Sequence, residues 1–267
     1  MNRRTRISSL LLAGALLLVS LFACKSQYDL ILESNDVDAK YKAAFEYFNS
    51  GKYTRAAQVF ESLMMLTNGT ERHDTVMYYL GLSNYSCKDY YTAETNFDQY
   101  LTYFPQSGFS EMAEFLRIDC LYRATLRYEL DQTPTYQAIT AISEYLMAHP
   151  VGANADICRH RLEELNERLD RKAYENARLY YKMEDYQAAR VALRNVLKDD
   201  ADNVFREEIL YYTAMASYKY AENSVASKQK ERFLVFADDY LNFVGEYPES
   251  SHRKELDNLY AKVKEKN

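Results

Sequence analysis

The strongest constraint on this 267-residue chain is a phrase that it writes more than once. "AFEYFNSGKYTRAAQVFESL" sets Ala44, Gly51, Tyr53, Ala56, Phe60 and Leu63 in the order small, glycine, aromatic, alanine, phenylalanine, apolar. The order returns 37 residues after Ala44 as Gly81, Tyr90, Ala93, Phe97 and Tyr100, closed by Pro105. A third copy, 45 residues beyond Ala93, has Ala138, Ile142, Tyr145 and Pro150. Ala177, Tyr186, Ala189, Leu193 and Val196 make a fourth, and Tyr240, Phe243 and Pro248 mark a degenerate fifth. A fixed self-similarity of this length is the signature of a stacked repeat, because no single unit can bury its own apolar face.

Between these markers the apolar residues recur at i, i+3 and i+4, the spacing of one helical face. The expected unit is two antiparallel helices: Ala44, Gly81 and Ala177 allow close approach, and Phe60 and Phe97 fill the gap toward the next unit. Proline ends the second helix because it lacks an N–H and clashes with the preceding turn. "YLTYFP", "YLMAHP" and "FVGEYP" are three versions of that ending. With seven Gly and four Pro, the chain has little material for a turn-rich β fold. The pattern resembles the tetratricopeptide repeat and predicts an all-α solenoid of about five such helix pairs. Units one to three are expected within 37–150 and units four and five within 151–267. "RYELDQTPT" inserts a loop in the third unit, and residues 154–183, without Pro or Gly, predict a long helix leading into the fourth.

Residues 1–23 stand outside that fold. Three arginines precede the uncharged run "ISSLLLAGALLLVSLFA", the layout of a secretory signal. It closes on "LFAC", which resembles a lipobox and makes Cys24 the expected lipidation site; the competing reading is an ordinary signal cut near Ala23. Acyl chains on Cys24 would anchor the chain in a membrane, with residues 24–36 as a linker. Loss of Arg3, Arg4 and Arg6 takes the net charge from −6 to −9. So acidic a body argues against nucleic acid, which needs clustered Lys and Arg. Cys87, Cys120 and Cys158 have no CxxC pairing; one disulfide or three small core residues both fit.

In such repeats the first helix of each pair lines the concave side. Unit one places Tyr41, Phe45 and Phe48 there, and unit two Tyr78, Leu82 and Tyr85. Unit four gives Tyr174, Arg178 and Tyr181; unit five gives Tyr211, Met215 and Tyr218. One reading is a peptide-binding groove tiled with tyrosine, whose large ring and polar tip suit mixed peptides. The other is that aromatics at helical spacing are core. Arg190, Arg194 and Lys198 form a basic ridge at i, i+4 and i+8, either a solvated face or a docking surface for an acidic partner. No metal site is expected, since "CRH" points its Cys and His in different directions on a helix. No catalytic motif is present either, so an enzyme and a cofactor beyond the lipid are not expected.

"NARLYYKMEDYQAARVALRNVL" (176–197), "FPQS" (104–107) and "YPES" (247–250) are similar to segments of the BamD family, lipoproteins of the outer-membrane β-barrel assembly machinery. That resemblance implies an anchor in the outer membrane's inner leaflet with the body facing the periplasm. It implies that the N-terminal half binds unfolded outer-membrane proteins. The C-terminal half would dock on the periplasmic domains of the central barrel subunit, with other assembly lipoproteins as further partners. On this chain those roles would fall to the unit-one and unit-two face and to Arg190, Arg194 and Lys198. A Tol–Pal-type envelope coordinator and a glycan-binding outer-membrane lipoprotein are the alternatives; the first usually adds an N-terminal coiled coil, and sugar sites usually stack on Trp, which this chain lacks.

Overall fold

The computed structural model describes residues 26–266, so Cys24 and the signal run lie outside the described residues. Every regular element among them is a helix. The chain divides into two compact units at Arg123/Ala124, within the expected third repeat and not after Pro150.

The first unit holds α1 (Gln27–Glu33), α2 (Val37–Asn49), α3 (Tyr53–Thr67), α4 (Arg72–Ser86), α5 (Tyr90–Tyr103) and α6 (Ser110–Ala124). The second holds α7 (Thr133–Ala148), α8 (Ala155–Lys182), α9 (Tyr186–Asp199), α10 (Arg206–Glu222), α11 (Ala226–Glu246) and α12 (Arg253–Lys266). The helices of expected units one, two, four and five pair as predicted: α2 with α3, α4 with α5, α8 with α9 and α10 with α11; α7, which carries the third phrase, packs on α8. The proline-free stretch is the 28-residue α8.

Two turn designs recur. Inside a pair, the first helix ends in a residue with positive φ: Gly51 at 73°, Lys88 at 68° and Glu184 at 62°. Each makes the double closure of a Schellman turn; in the first, Gly51 N–H donates to Phe48 O (3.0 Å) and Lys52 N–H to Tyr47 O (2.9 Å). After the second and third of these turns, Asp89 and Asp185 cap the next helix through Thr92 N–H (3.2 Å) and Ala188 N–H (3.1 Å). Between pairs, Phe104, His149 and Tyr247 all sit near φ −125°, ψ 60°. Their N–H groups close on Tyr100 O, Tyr145 O and Phe243 O at 2.7–2.8 Å. The proline follows directly, and the aromatic that accepts this bond is fully buried in all three.

Small residues fill their predicted role. Ala44, Ala56, Ala93 and Ala189 are fully buried. A Cβ on Gly81 would stand 2.8 Å from Phe97 Cε1, so the α4/α5 pair is closer there than any side chain permits.

Residues 24–36, expected as a linker, contain α1. Ser26 and Asp29 form a reciprocal capping box. Tyr28, Ile31 and Leu32 then pack on the α2/α3 core, and the buried Lys40 ammonium donates to Leu32 O (2.8 Å) and Ser62 Oγ (3.0 Å). The loop after α6 is clamped onto α8: Arg168 donates to Thr125 Oγ1 (2.7 Å), and Lys172 donates to Tyr128 O (2.9 Å) and Leu130 O (2.8 Å). Cys87, Cys120 and Cys158 carry thiols and not a disulfide, the last two buried. Burial lifts the Cys120 thiol to about 12, so it stays protonated and serves as packing.

Candidate functional site

In the first unit, α2 and α4 carry the six aromatic and apolar positions. Phe45 lies edge-on to Phe60 (5.2 Å) and Tyr79 (4.7 Å), and Phe48 to Tyr53 (5.4 Å) and Tyr79 (5.2 Å). Tyr41 leans on Phe45 at 5.0 Å, and Arg72 covers its ring at 5.0 Å while pairing with Asp38. Tyr79 is thus the hub joining the first two pairs. The spacing rule passed over it because it neighbours Tyr78, one step off the stripe.

Tyr78 is only 6% exposed and stacks flat on Phe109 at 4.4 Å. Its ring serves the core, with little surface left for a ligand. Leu82 and Tyr85 remain half-buried. The Tyr85 hydroxyl donates to Asp119 (2.7 Å), a buried carboxylate that also accepts from Arg123 Nε at 2.5 Å. Burial, then that hydrogen bond to Asp119, raises the Tyr85 phenol to about 12. It is a neutral donor at any physiological pH. The surviving face is therefore Tyr41, Phe45, Phe48, Leu82 and Tyr85, all half-buried. Such a row can offer apolar contact, and the Tyr85 phenol titrates too high to supply charge.

Four of the same six positions in the second unit are closed; Arg178 and Tyr181 stay half-buried, with the Tyr181 ring edge-on to Tyr212 at 5.1 Å. Tyr174 is buried and stacks on Phe205 at 5.3 Å. Arg178 lies over Tyr212 at 4.7 Å and donates to its hydroxyl. Tyr211, Met215 and Tyr218 are all buried in one cluster with Leu256 and Val263 of α12. Tyr211 stacks on His252 at 4.0 Å and donates to Glu255 at 2.8 Å. The C-terminal helix caps the last pair, and at these positions the core reading holds.

The basic ridge of α9 divides. Arg190 is committed inward: Nε and Nη2 reach the Asp239 carboxylate at 2.6 and 3.0 Å, and Nε also reaches Ser217 Oγ at 3.2 Å. It ties α9 to α10 and α11 and is not free to dock. Arg194 is mostly exposed, 3.7 Å from the same carboxylate, and Lys198 is exposed. The outward charge of the ridge comes from those two. The buried acceptors Asp119 and Asp239 escaped the spacing argument, whose only sign of them was a carboxylate inside an otherwise apolar helix face.

The family model YfiO, described as outer membrane lipoprotein, matches residues 33–233. A curated relative, outer membrane protein assembly factor BamD of Caulobacter vibrioides, is 21% identical over 174 residues, 64% of this chain and 57% of that protein. The chain therefore spans little more than half the length of that relative. The putative outer membrane protein assembly factor BamD of Aquifex aeolicus is 27% identical over 265 residues, 97% of this chain and 83% of that one. Among solved structures, the TPR2AB-domain:pHSP90 complex of yeast Sti1 is 14% identical, covering 85% of this chain and 98% of that one; its TM-score of 0.41 is too low to add to the argument. With the family model matching three quarters of its length, this chain belongs to the YfiO (BamD) family of outer membrane lipoproteins.

Proposed function

We propose that this chain is an outer membrane protein assembly factor: a scaffold, not an enzyme, lipid-anchored through Cys24 and facing the periplasm. The family match across residues 33–233 carries the reading. Two relatives that bear the assembly-factor name, and the lipobox-like "LFAC", support it.

In this reading the first unit holds unfolded outer-membrane proteins against Tyr41, Phe45, Phe48, Leu82 and Tyr85, with Tyr78 as the packed floor behind them. Half-buried rings suit weak, sequence-tolerant contact, which a client with alternating apolar and polar residues needs. The second unit docks on the periplasmic domains of the central barrel subunit through Arg194 and Lys198, which Arg190 supports from beneath. Other assembly lipoproteins could join the same complex.

Depletion of the protein, with folded barrel proteins measured by their resistance to heat in gel electrophoresis, tests the function. Folded barrels should fall while total envelope protein holds; unchanged barrel levels would refute the proposal. Charge reversal at Arg194 and Lys198 together should remove the central subunit from co-purification. Retention of that subunit would refute the docking assignment alone.

A further inference from the structure

Outside the surfaces already described, the second unit carries an open cleft of about 660 Å³ bounded by α7, α8, α9 and the turn into α10. Its apolar lining comes from Leu169 and Ala173 of α8 and Val196 of α9, with the exposed side chains of Tyr136 and Val204 at its edges. The same floor continues along α8 and α9 past the exposed Leu179 and Tyr180. Exposed apolar surface that runs on in this way marks an interaction site more often than a solvated face.

The residues that frame this floor define what can lie on it. Glu163, Glu167, Asp170, Asp199, Asp200 and Asp202 all line the cleft. Among the described residues no ion pair joins any of the six to a base. The basic residues of α8 are close in sequence but turn the other way. Arg168 pairs with Glu164 (2.8 Å) and the loop after α6, Arg171 covers Tyr128 at 4.8 Å, and Lys172 caps carbonyls of that loop. The helix therefore segregates its charge: Glu163, Glu167 and Asp170 follow at i, i+4 and i+7 on one face, and Arg168, Arg171 and Lys172 lie on another. Asp170 is the innermost of the six, with Oδ2 accepting from Val204 N–H at 3.0 Å, and burial followed by the neighbouring Asp200 raises its pKa. No three acidic, histidine or cysteine groups among the described residues converge closely enough to hold a metal ion. An occupant must therefore spread its positive charge along the rim while it fills an apolar floor.

We propose that the α8/α9 cleft binds an extended basic segment of a partner protein, its apolar side chains on Leu169, Ala173 and Val196 and its Lys or Arg side chains against the carboxylate rim. A second copy of this chain is the wrong occupant, because its body is itself acidic. The site is separate from the Arg194 and Lys198 ridge, which attracts the opposite charge, and it stands or falls independently of the assembly function.

The test uses the full lipidated protein in detergent and a labelled peptide of alternating lysine and valine, followed by fluorescence anisotropy. A glutamate–valine peptide and a lysine–serine peptide are the comparisons. The lysine–valine peptide should bind best, more tightly at low salt. Glu167→Lys with Asp199→Lys should weaken it at least about tenfold, whereas Glu231→Lys with Asp238→Lys, the same change in net charge on α11, should change it less than about twofold. If charge reversal unfolds the chain, the isosteric Glu167→Gln with Asp199→Asn should still weaken binding several-fold. Equal loss in the α11 variant would overturn the proposal, since attraction would then be diffuse. So would equal binding of the lysine–serine peptide, or displacement of the peptide by calcium, which would assign the rim to a simple cation.

Discussion

Replacing Asp239 with alanine removes the acceptor on which three successive helices converge. Its side chain is only 9% exposed, and its two oxygens receive Arg190 Nε and Nη2 and the Ser217 hydroxyl. Truncating one member of a buried pair costs about 3–5 kcal/mol, because the remaining charge stays desolvated. Here the Arg190 side chain is 23% exposed and water can reach it, so the loss should sit lower, at about 2–3 kcal/mol. For a domain of this size that is a fall in Tm of roughly 5–10 °C. Urea unfolding followed by circular dichroism would read it as a lower midpoint without a change in slope. Asp238→Ala, the exposed neighbour, is the control and should stay within about 0.5 kcal/mol of wild type. A double-mutant cycle with Arg190→Ala should return a coupling of about 1.5–3 kcal/mol. A coupling below about 0.5 kcal/mol, or equal losses in the Asp238 and Asp239 variants, would refute the view that Arg190 is a structural tie.

Gly81→Ala should destabilise the first unit by about 1–2 kcal/mol in the same assay: the clash with Phe97 costs about 1–3 kcal/mol, and the better helix propensity returns under 1. Lys88→Gly should do the reverse, raising stability by about 0.5–1 kcal/mol, since a non-glycine residue stands at φ 68° there. Asp170→Asn should raise Tm at neutral pH. Its carboxyl has a raised folded pKa, so the folded state favours the protonated form; the relative stability that this group gives is full below its unfolded value, about 4, and is lost as pH rises through the folded one. The gain from Asn should therefore shrink as the pH is lowered toward 4, as thermal scans across that range would show.

Much of this was legible because the repeat fixes both ends of its helices. "YLTYFP", "YLMAHP" and "FVGEYP" share one backbone conformation, and the proline-free run is one long helix. Local signals of this kind need no knowledge of what lies across the fold. What escaped notice depends on partners distant in sequence. Periodicity put Arg190 on the ridge but could not show that Asp239, 49 residues later, draws it inward. It put Tyr211, Met215 and Tyr218 on an inner face without showing that α12 returns to cover them. Helix α1 was missed for another reason: seven residues are too few for a period, and only the Ser26–Asp29 box announces it. Lys88 and Glu184 hid a recurrent turn because they adopt, at a cost, a conformation that Gly51 adopts freely.

The abundance of tyrosine looked like an argument for a binding groove, and the hydroxyls give it another cause. Tyr100 donates to Asp74 (2.6 Å), Tyr85 to Asp119, Tyr211 to Glu255 and Tyr240 to Asp257 (2.6 Å). In each case the ring fills space between helices and the hydroxyl fastens to a carboxylate of another helix. Phenylalanine would fill the same volume and take from that carboxylate the donor that ties it to the neighbouring helix. A solenoid has no central core to fix the rotation of one pair against the next, so directional bonds at each interface do what a single large core does elsewhere. Tyrosine counts therefore speak for scaffolding first. A ligand face has to be argued from side chains that the scaffold leaves half-uncovered, and within the first unit's predicted stripe those are Tyr41, Phe45, Phe48, Leu82 and Tyr85.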